Sequence, residues 1–379
     1  DFAYMKPTLD RVYCEGLNRL VIHTYTHSPE EAGIPGNEYF AGIHFNPNVT
    51  WWKQAPAFLT WNSRISFMLS QGLFVADVCF YYGDNVPNQV PLKHVYEGLG
   101  EGYDYDVCNT EVILERMTTR DGRIYLPDGM SYAMLVLPDR VGITPEVLAK
   151  LEQLVREGAT IVGPKPETSV GLHGDKEAET KVRKIADAMW GNMTGGKEKA
   201  NPDEEGTGQG ANDTSVQKIA YGKGTVYRGE NIRKVLIEKG VQPDFLFKSN
   251  RSDALIDYIH RQTDDADIYY IVNRNERPEY LHVSFRIGAK MPELWNPVTG
   301  EITDYSVYAF ENGKISMPVF LEPFGSVLVV FRKELQVHYE KIAWNDSSLF
   351  PELPADTFSI SPFIQQADGR LLFMQPGEY

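Results

Sequence analysis

Cysteine is scarce in this chain. Cys14, Cys79 and Cys108 are the only three in 379 residues, they lie far apart, and none sits in a CxxC pair. So sparse and odd a set argues against a disulfide framework or a zinc site, and each thiol reads as a small buried hydrophobe. No apolar run approaches the ~20 residues that a membrane-spanning helix needs. Nor is there a basic block: 37 Lys and Arg face 52 Asp and Glu, for a formal net charge of −15. Such a chain is a poor partner for nucleic acid or an anionic membrane. GxGxxG and GxxxxGK[ST] are both missing, which leaves nucleotide binding without support. The first residues, DFAYMKPTLDRVY, contain neither a basic n-region nor an apolar h-region, so no signal peptide is read there. No internal repeat occurs. The length suits two or three domains, and an apolar fraction of 42% is ordinary for globular protein.

What the chain does have is a crowd of rings near its start. Between Asn18 and Asp84, NRLVIHTYTHSPEEAGIPG…YFAGIHFNPNVTWW…AFLTWNSRISFMLSQGLFVADVCFYYGD sets three histidines, a Trp-Trp pair and several tyrosines in loops after short apolar runs. Rings and polar tips beyond strand ends are how a pocket is built for a polar, flat-faced ligand such as a sugar. His23 and His27 form an H-x3-H pair. On a helix the pair could bind one metal ion, but on a strand residues i and i+4 stand ~13 Å apart and share no ion unless the strand ends between them. His23 falls where strand gives way to loop and His44 in the following loop. At least one of the three histidines is expected to face a ligand. Trp51 and Trp52 point apart whichever element carries them, so one ring packs and the other is free to stack. Asp84, after Tyr81, Tyr82 and Gly83, is a candidate hydrogen-bonding carboxylate; a loop cap is the alternative.

The periodicity alternates between helix and strand. Pro7 opens a helix with Leu9, Val12, Tyr13 and Leu17 near helical spacing, ending at Gly16. RLVIHTY reads as a strand. AFLTWNSRISFMLSQG reads as a helix stopped by Gly72, and FVADVCFYYGD as a second, buried strand. Helix–strand–helix–strand is α/β, but two strands cannot close a sheet, so this segment reads as the last third of a larger barrel. Beyond the Gly-rich EGLGEGYDYD, a strand ends at Pro138-Asp139, a helix runs from an N-cap at Thr144 to Gly158, and ATIVGPKP follows as a strand, giving a βαβ unit of a doubly wound sheet. Gly195 to Asp213 is polar and without periodicity, and reads as a mobile insertion. KGTVYRG and NIRKVLIEKG complete this domain as a strand and a helix. From Ala254, short alternating strands with turn signals suit an antiparallel β-sandwich.

Cleavage of a glycosidic bond normally needs two carboxylates ~5–9.5 Å apart. Glu15, on a helix before a strand, belongs to the far end of a barrel, and Glu38 has no identifiable partner, so no catalytic residue is identified in this chain. Cys108, in DYDVCNTE, is not on a G-x-C-x-G elbow, so thiol chemistry in the α/β domain is disfavoured. The five N-x-[ST] sequons, at Asn48, Asn192, Asn212, Asn250 and Asn345, would be chance in a bacterial protein.

The strings EGLNRLVIHTYTHSP…GIHFNPNVTWW…FLTWNSRISFMLSQGLFVADVCFYYGD resemble the last strands of the catalytic barrel in glycoside hydrolase family 106, the α-L-rhamnosidases, and in related large bacterial glycosidases. YDYDVCNTEVILERM…DGRIYLPDGMSYAMLVLPD with LVREGATIVGPKP resembles the amidotransferase-like domain after that barrel, and PELWNPVTGEI…LEPFGSVLVVFR the next β-sandwich. The fold expected is therefore multidomain α/β plus β. The end of a (β/α)8-type barrel would occupy residues 1–95, a flavodoxin/amidotransferase-like α/β domain 96–248 and an antiparallel β-sandwich 249–334. A further domain, cut short, would occupy 335–379. The resemblance implies an inverting hydrolase with a glutamate acid and a glutamate base upstream of this chain, and a calcium ion that helps hold the sugar. By matching position, His23, His27, His44, Asn46, Trp52 and Asp84 would line the pocket rim. The partners implied are a carbohydrate and the upstream barrel, and the location is periplasmic or extracellular. The alternative is a non-catalytic carbohydrate-binding or scaffold module.

Overall fold

The computed structural model describes residues 2–41, 45–84, 98–171, 175–191, 217–229 and 231–339, positions 86, 88 and 93, and four short strands between 343 and 373. The chain forms two compact units. One joins Asp1–Phe74 to Asp244–Tyr379, and the other is Val75–Pro243.

In the first unit two helices and two antiparallel sheets pack together. The six-stranded sheet runs Leu73–Phe74, Ile256–Gln262, Asp267–Asn273, Ser326–Glu334, Lys290–Trp295, Ile302–Asp304. The four-stranded sheet runs Phe245–Ser249, Glu279–Phe285, Lys314–Leu321, Ala309–Glu311. Tyr269, Phe285, Met317 and Phe331 fill the core between them. On the other face of the larger sheet lie α1 (Phe2–Cys14) and α2 (Ala55–Leu69), where Tyr13, Ile65 and Leu69 meet Tyr270 and Val330. Burial follows from this layering. Glu279–Phe285 alternates between buried and half-buried, as a strand with one covered face must. Asp267–Asn273 is buried at every position because both of its faces are covered.

The sandwich was legible from its alternation, but its boundary was not, since Phe245–Ser249 also belongs to it. α2 matches its expected span. α1 begins at Phe2 and carries Pro7 inside rather than at its start. Gly72 has φ +54°, and a Cβ there would lie 2.0 Å from the Gln262 carbonyl oxygen, so only glycine lets the Leu73–Phe74 edge strand close on Arg261 and Gln262.

The expected barrel end takes a different form. Arg19–Tyr25 is not a strand: among the described residues it finds no ladder partner, and Val21 is 84% exposed. A strand exists only through its neighbours' hydrogen bonds. Val78–Tyr81 is a strand and is fully buried, but it lies in the second unit's sheet, parallel to Tyr105–Cys108 on one side and Met134–Val136 on the other. Residues 1–95 are thus not one body; the division falls after Phe74.

The second unit is built on a six-stranded sheet ordered Gln217–Tyr221, Gly224–Arg228, Thr160–Val162, Met134–Val136, Val78–Tyr81, Tyr105–Cys108. Only the first of these pairs antiparallel. Counted along the chain, the five parallel strands stand 2-1-3-4-5, the flavodoxin-like doubly wound order. Helices α3 (Pro145–Glu157), α4 (Lys176–Trp190) and α5 (Ile232–Glu238) accompany it. α3 starts and stops where expected, but the Thr144 side chain makes no cap bond. α4 was not anticipated, although Val182, Ala186, Met189 and Trp190 recur at helical spacing and Asp175 caps the helix by accepting from the Ala178 N–H at 3.0 Å. The meander Thr118–Arg120, Arg123–Tyr125, Ser131–Tyr132 was also missed. The insertion Gly195–Asp213 lies outside the described residues.

Candidate functional site

The ring-rich segment sits on the first unit, ahead of α2. Trp51 and Trp52 are both half-buried, and both pack against Phe45. Trp51 packs edge-on to Phe2 of α1 at 4.8 Å and against Phe45 at 5.6 Å. Trp52 opens the short turn into α2 and stands edge-on to Phe45 at 5.1 Å and to the exposed Tyr25 at 6.1 Å. Both rings thus pack on the core beside the two helices, and Trp52 also touches the solvent-facing ring of Tyr25. His23 presents its ring edge-on to Tyr39 at 5.4 Å, and Tyr39 lies 4.4 Å from Phe40, which is 90% exposed.

Hydrogen bonds within the loop hold this arrangement. The Asn37 amide nitrogen Nδ2 donates to the His27 carbonyl at 3.1 Å, and its backbone N–H donates to the Ser28 hydroxyl at 2.9 Å. The Asn48 Nδ2 donates to the Pro35 carbonyl at 3.0 Å. The imidazoles of His23 and His27 are exposed and make no hydrogen bond with any described residue, so both are available to a ligand. Asn46 is different. It is buried, and its Oδ1 accepts the Asn48 N–H at 2.9 Å, which makes it part of the loop's framework. His44 lies outside the described residues.

Asp84 belongs to the second unit, just beyond the Val78–Tyr81 strand. Its Oδ1 accepts from the Tyr81 hydroxyl at 2.5 Å and the Thr110 hydroxyl at 2.6 Å, and its Oδ2 from the Thr144 N–H at 3.0 Å. Burial pushes this carboxyl up, but the bonds from Thr110, Tyr81 and Thr144 outweigh it and hold the group below the usual carboxylate range. With three donors from its own unit, the side chain fastens three loops at the carboxyl end of the sheet. Asp84→Ala is expected to lower the unit's stability by about 2 kcal/mol, because the Thr144 N–H loses its acceptor and the Tyr81 and Thr110 hydroxyls keep only each other. Urea unfolding of the chain measures the loss, and a change within ~0.5 kcal/mol, as for a surface site, would contradict this role.

Other candidates resolve simply. Glu15 stands 3.9 Å from Arg11 at the end of α1, a helix-surface pair, and Glu38 is exposed. All three cysteines are free and buried. Among the described residues no group of three or more His, Cys, Asp and Glu side chains could hold a metal ion.

A constellation missed in the sequence lies inside the sandwich. The His260 Nδ1 stands 3.1 Å from the Asp244 Oδ2, and its Nε2 3.3 Å from the Asp267 Oδ1. The Tyr269 hydroxyl donates to Asp244 at 2.9 Å, and Lys290 to Asp267 at 2.9 Å. Burial alone would push the imidazole down; the charge of Asp244 and the bonds to Asp244 and Asp267 override it and lift it to about 9. His260 is only 3% exposed, so this buried charge network meets no substrate. His260, Asp267 and Tyr269 come together through the hairpin that pairs His260 with Tyr269 and Gln262 with Asp267, and Asp244 and Lys290 join them from neighbouring segments.

A family model described as alpha-L-rhamnosidase matches residues 2–309. A Formosa agariphila protein, named provisionally as a beta-glucuronidase, is 33% identical over 332 residues, which are 87% of this chain and 25% of that protein. The solved structure of a rhamnosidase from Novosphingobium sp. PP1Y matches with a TM-score of 0.75 at 28% identity, over 90% of this chain and 30% of that one. The chain thus spans 25–30% of the length of these relatives.

Proposed function

The chain belongs to glycoside hydrolase family 106, the alpha-L-rhamnosidases, and from that premise we propose that it is the C-terminal part of a larger glycoside hydrolase, to whose sugar pocket it contributes one wall. The observation that carries this reading is the set of rings that one loop segment presents, exposed Tyr25 against the half-buried Trp52 and His23 against Tyr39 and the exposed Phe40, together with the exposed imidazoles of His23 and His27, which make no hydrogen bond with any described residue. Ring faces receive the C–H face of a sugar, and imidazole nitrogens exchange hydrogen bonds with its hydroxyls. Such groups orient a substrate; they do not protonate a leaving oxygen and activate a water at once. An inverting enzyme needs two carboxylates ~6.5–9.5 Å apart for that. The acid and base are proposed for the part of the protein outside this chain, as the family implies.

A calcium ion that helps hold the sugar is proposed on the family's example. A rhamnosyl linkage is the proposed target, and a periplasmic or extracellular site the proposed location. No helix among the described residues is long and apolar enough to cross a membrane.

Residues 1–379 alone should not turn over aryl α-L-rhamnosides, and measurable hydrolysis by them would overturn the proposed division of labour. In the full-length protein, His23→Ala should lower kcat/KM about 10-fold, ~1.4 kcal/mol of transition-state binding. An unchanged value would remove His23 from the site. The same rings would also suit a module that binds carbohydrate without cleaving it; inactivity of the full-length protein on every aryl glycoside would favour that reading.

A further inference from the structure

We propose that the mouth of the β-sandwich is a second carbohydrate site, which takes one neutral sugar ring of a glycan and is separate from the ring-rich loops. A cavity of about 430 Å³ opens where the Glu322–Gly325 turn, the Ile302–Asp304 edge strand and the side chain of Lys6 come together. That volume lies in the range of small-molecule sites, ~300–1,000 Å³. The whole cavity belongs to the first unit.

The lining specifies the class of ligand. Leu294, Leu321 and Val327, which belong to or pack on the core between the two sheets, give it an aliphatic floor. Glu301, Glu322 and Thr303 line it as well, and their side chains make no hydrogen bond with any described residue. Lys6 is the one cation among the lining residues, and it is already engaged: its Nζ donates to Asp10 at 2.6 Å, to the Phe324 carbonyl at 2.6 Å and to Ser326 at 3.4 Å. The cavity therefore offers two carboxylate acceptors and an apolar floor, with no free cation. An anion would meet two unneutralised carboxylates. A neutral sugar ring fits both features, because its hydroxyls donate to the carboxylates while its C–H face covers the aliphatic floor. Choosing a sugar over an organic amine rests on the reading that this protein works on a glycan.

Saturation-transfer NMR on residues 1–379 tests the site, with methyl α-L-rhamnopyranoside and methyl β-D-galactopyranoside as neutral probes, methyl β-D-glucuronide as the anionic probe and spermine as the amine. Thr303→Trp blocks the mouth, and Glu301→Gln with Glu322→Gln removes the charged acceptors while leaving the floor intact. The expected result is transfer to a neutral glycoside and none to the glucuronide. That transfer should be lost in the Thr303→Trp protein, weakened at least about fivefold in the double Gln protein, and unchanged by His23→Ala. Absence of transfer to either neutral glycoside overturns the site, and so does transfer undiminished in both the Thr303→Trp and the double Gln proteins, or a preference for spermine. Aryl-rhamnoside turnover by the unsubstituted full-length protein, read beside the transfer measured on unsubstituted residues 1–379, separates the two proposals. Turnover together with absent mouth binding would sink the second site alone, and binding together with absent turnover the hydrolase reading alone.

Discussion

Replacing Asp244 by alanine should destabilise the sandwich unit by about 3–5 kcal/mol, the usual result of removing one member of a buried ion pair. Its carboxylate accepts from His260 and Tyr269 and faces Arg286 at 3.5 Å. His260 and Tyr269 are 3% and 0% exposed, so water cannot replace what they lose. The network also sets a pH profile. The folded His260 holds its proton up to about 9, against 6.5 ordinarily. Its contribution to stability is therefore complete below ~6.5 and lost as pH rises through about 9, on the order of 3 kcal/mol in all. Asp267 shifts the opposite way. Burial pushes it up, but the bonds from His260 and Lys290 prevail and hold it at about 2, below the ordinary 3.8. Its contribution is present above that ordinary value and lost as the solution is acidified towards 2. Hydrogen exchange at the Asp267–Asn273 amides should show greatest protection between pH ~4 and ~6.5. Protection that keeps rising from pH 6.5 to 9, or a loss in Asp244→Ala below ~1 kcal/mol, would contradict the charge network.

That network marks the limit of what the sequence discloses. Local elements were legible because their causes are local. α2 announces itself by apolar spacing and a glycine stop, α3 by Thr144-Pro145 and Gly158, and the sandwich strands by alternation. Partnership was not legible. A run of buried residues such as Val78–Tyr81 reads alike in a barrel or in a doubly wound sheet, and only its pairing with 105–108 and 134–136 decides between them. Conversely, Arg19–Tyr25 looks like a strand but joins no ladder among the described residues. The candidate site divides along the same line. The exposure of the His23 and His27 imidazoles could be foreseen from residue type and loop context, whereas the packing of both Trp51 and Trp52 on Phe45 could not. The inward role of Asn46 could not, nor could the saturation of Asp84, whose donors include residues 110 and 144.

Asp10 joins distant parts of the sequence, and its replacement should show that α1 and the sandwich fold as one body. It is fully buried on α1, accepting from Lys6 on its own helix and from the hydroxyl of Tyr270 in a central strand of the six-stranded sheet. Asp10→Ala removes the carboxylate acceptor of that buried hydroxyl, leaving it Ser326 alone, and opens a gap under the helix, at an expected cost of about 3 kcal/mol. Asp10→Asn keeps an acceptor for Tyr270 and should cost only about 1 kcal/mol. The two variants should also separate with pH. Burial pushes the Asp10 carboxyl up, and Lys6 and Tyr270 only partly counter it. The folded wild type then prefers the protonated group, and loses stability as pH rises through the carboxyl range. Asparagine does not titrate, so the deficit of Asp10→Asn should narrow between pH 4 and pH 7, as read by urea unfolding at each pH. A deficit that widens over that range would mean that the ion pair with Lys6, and not the bond to Tyr270, holds the helix on the sheet.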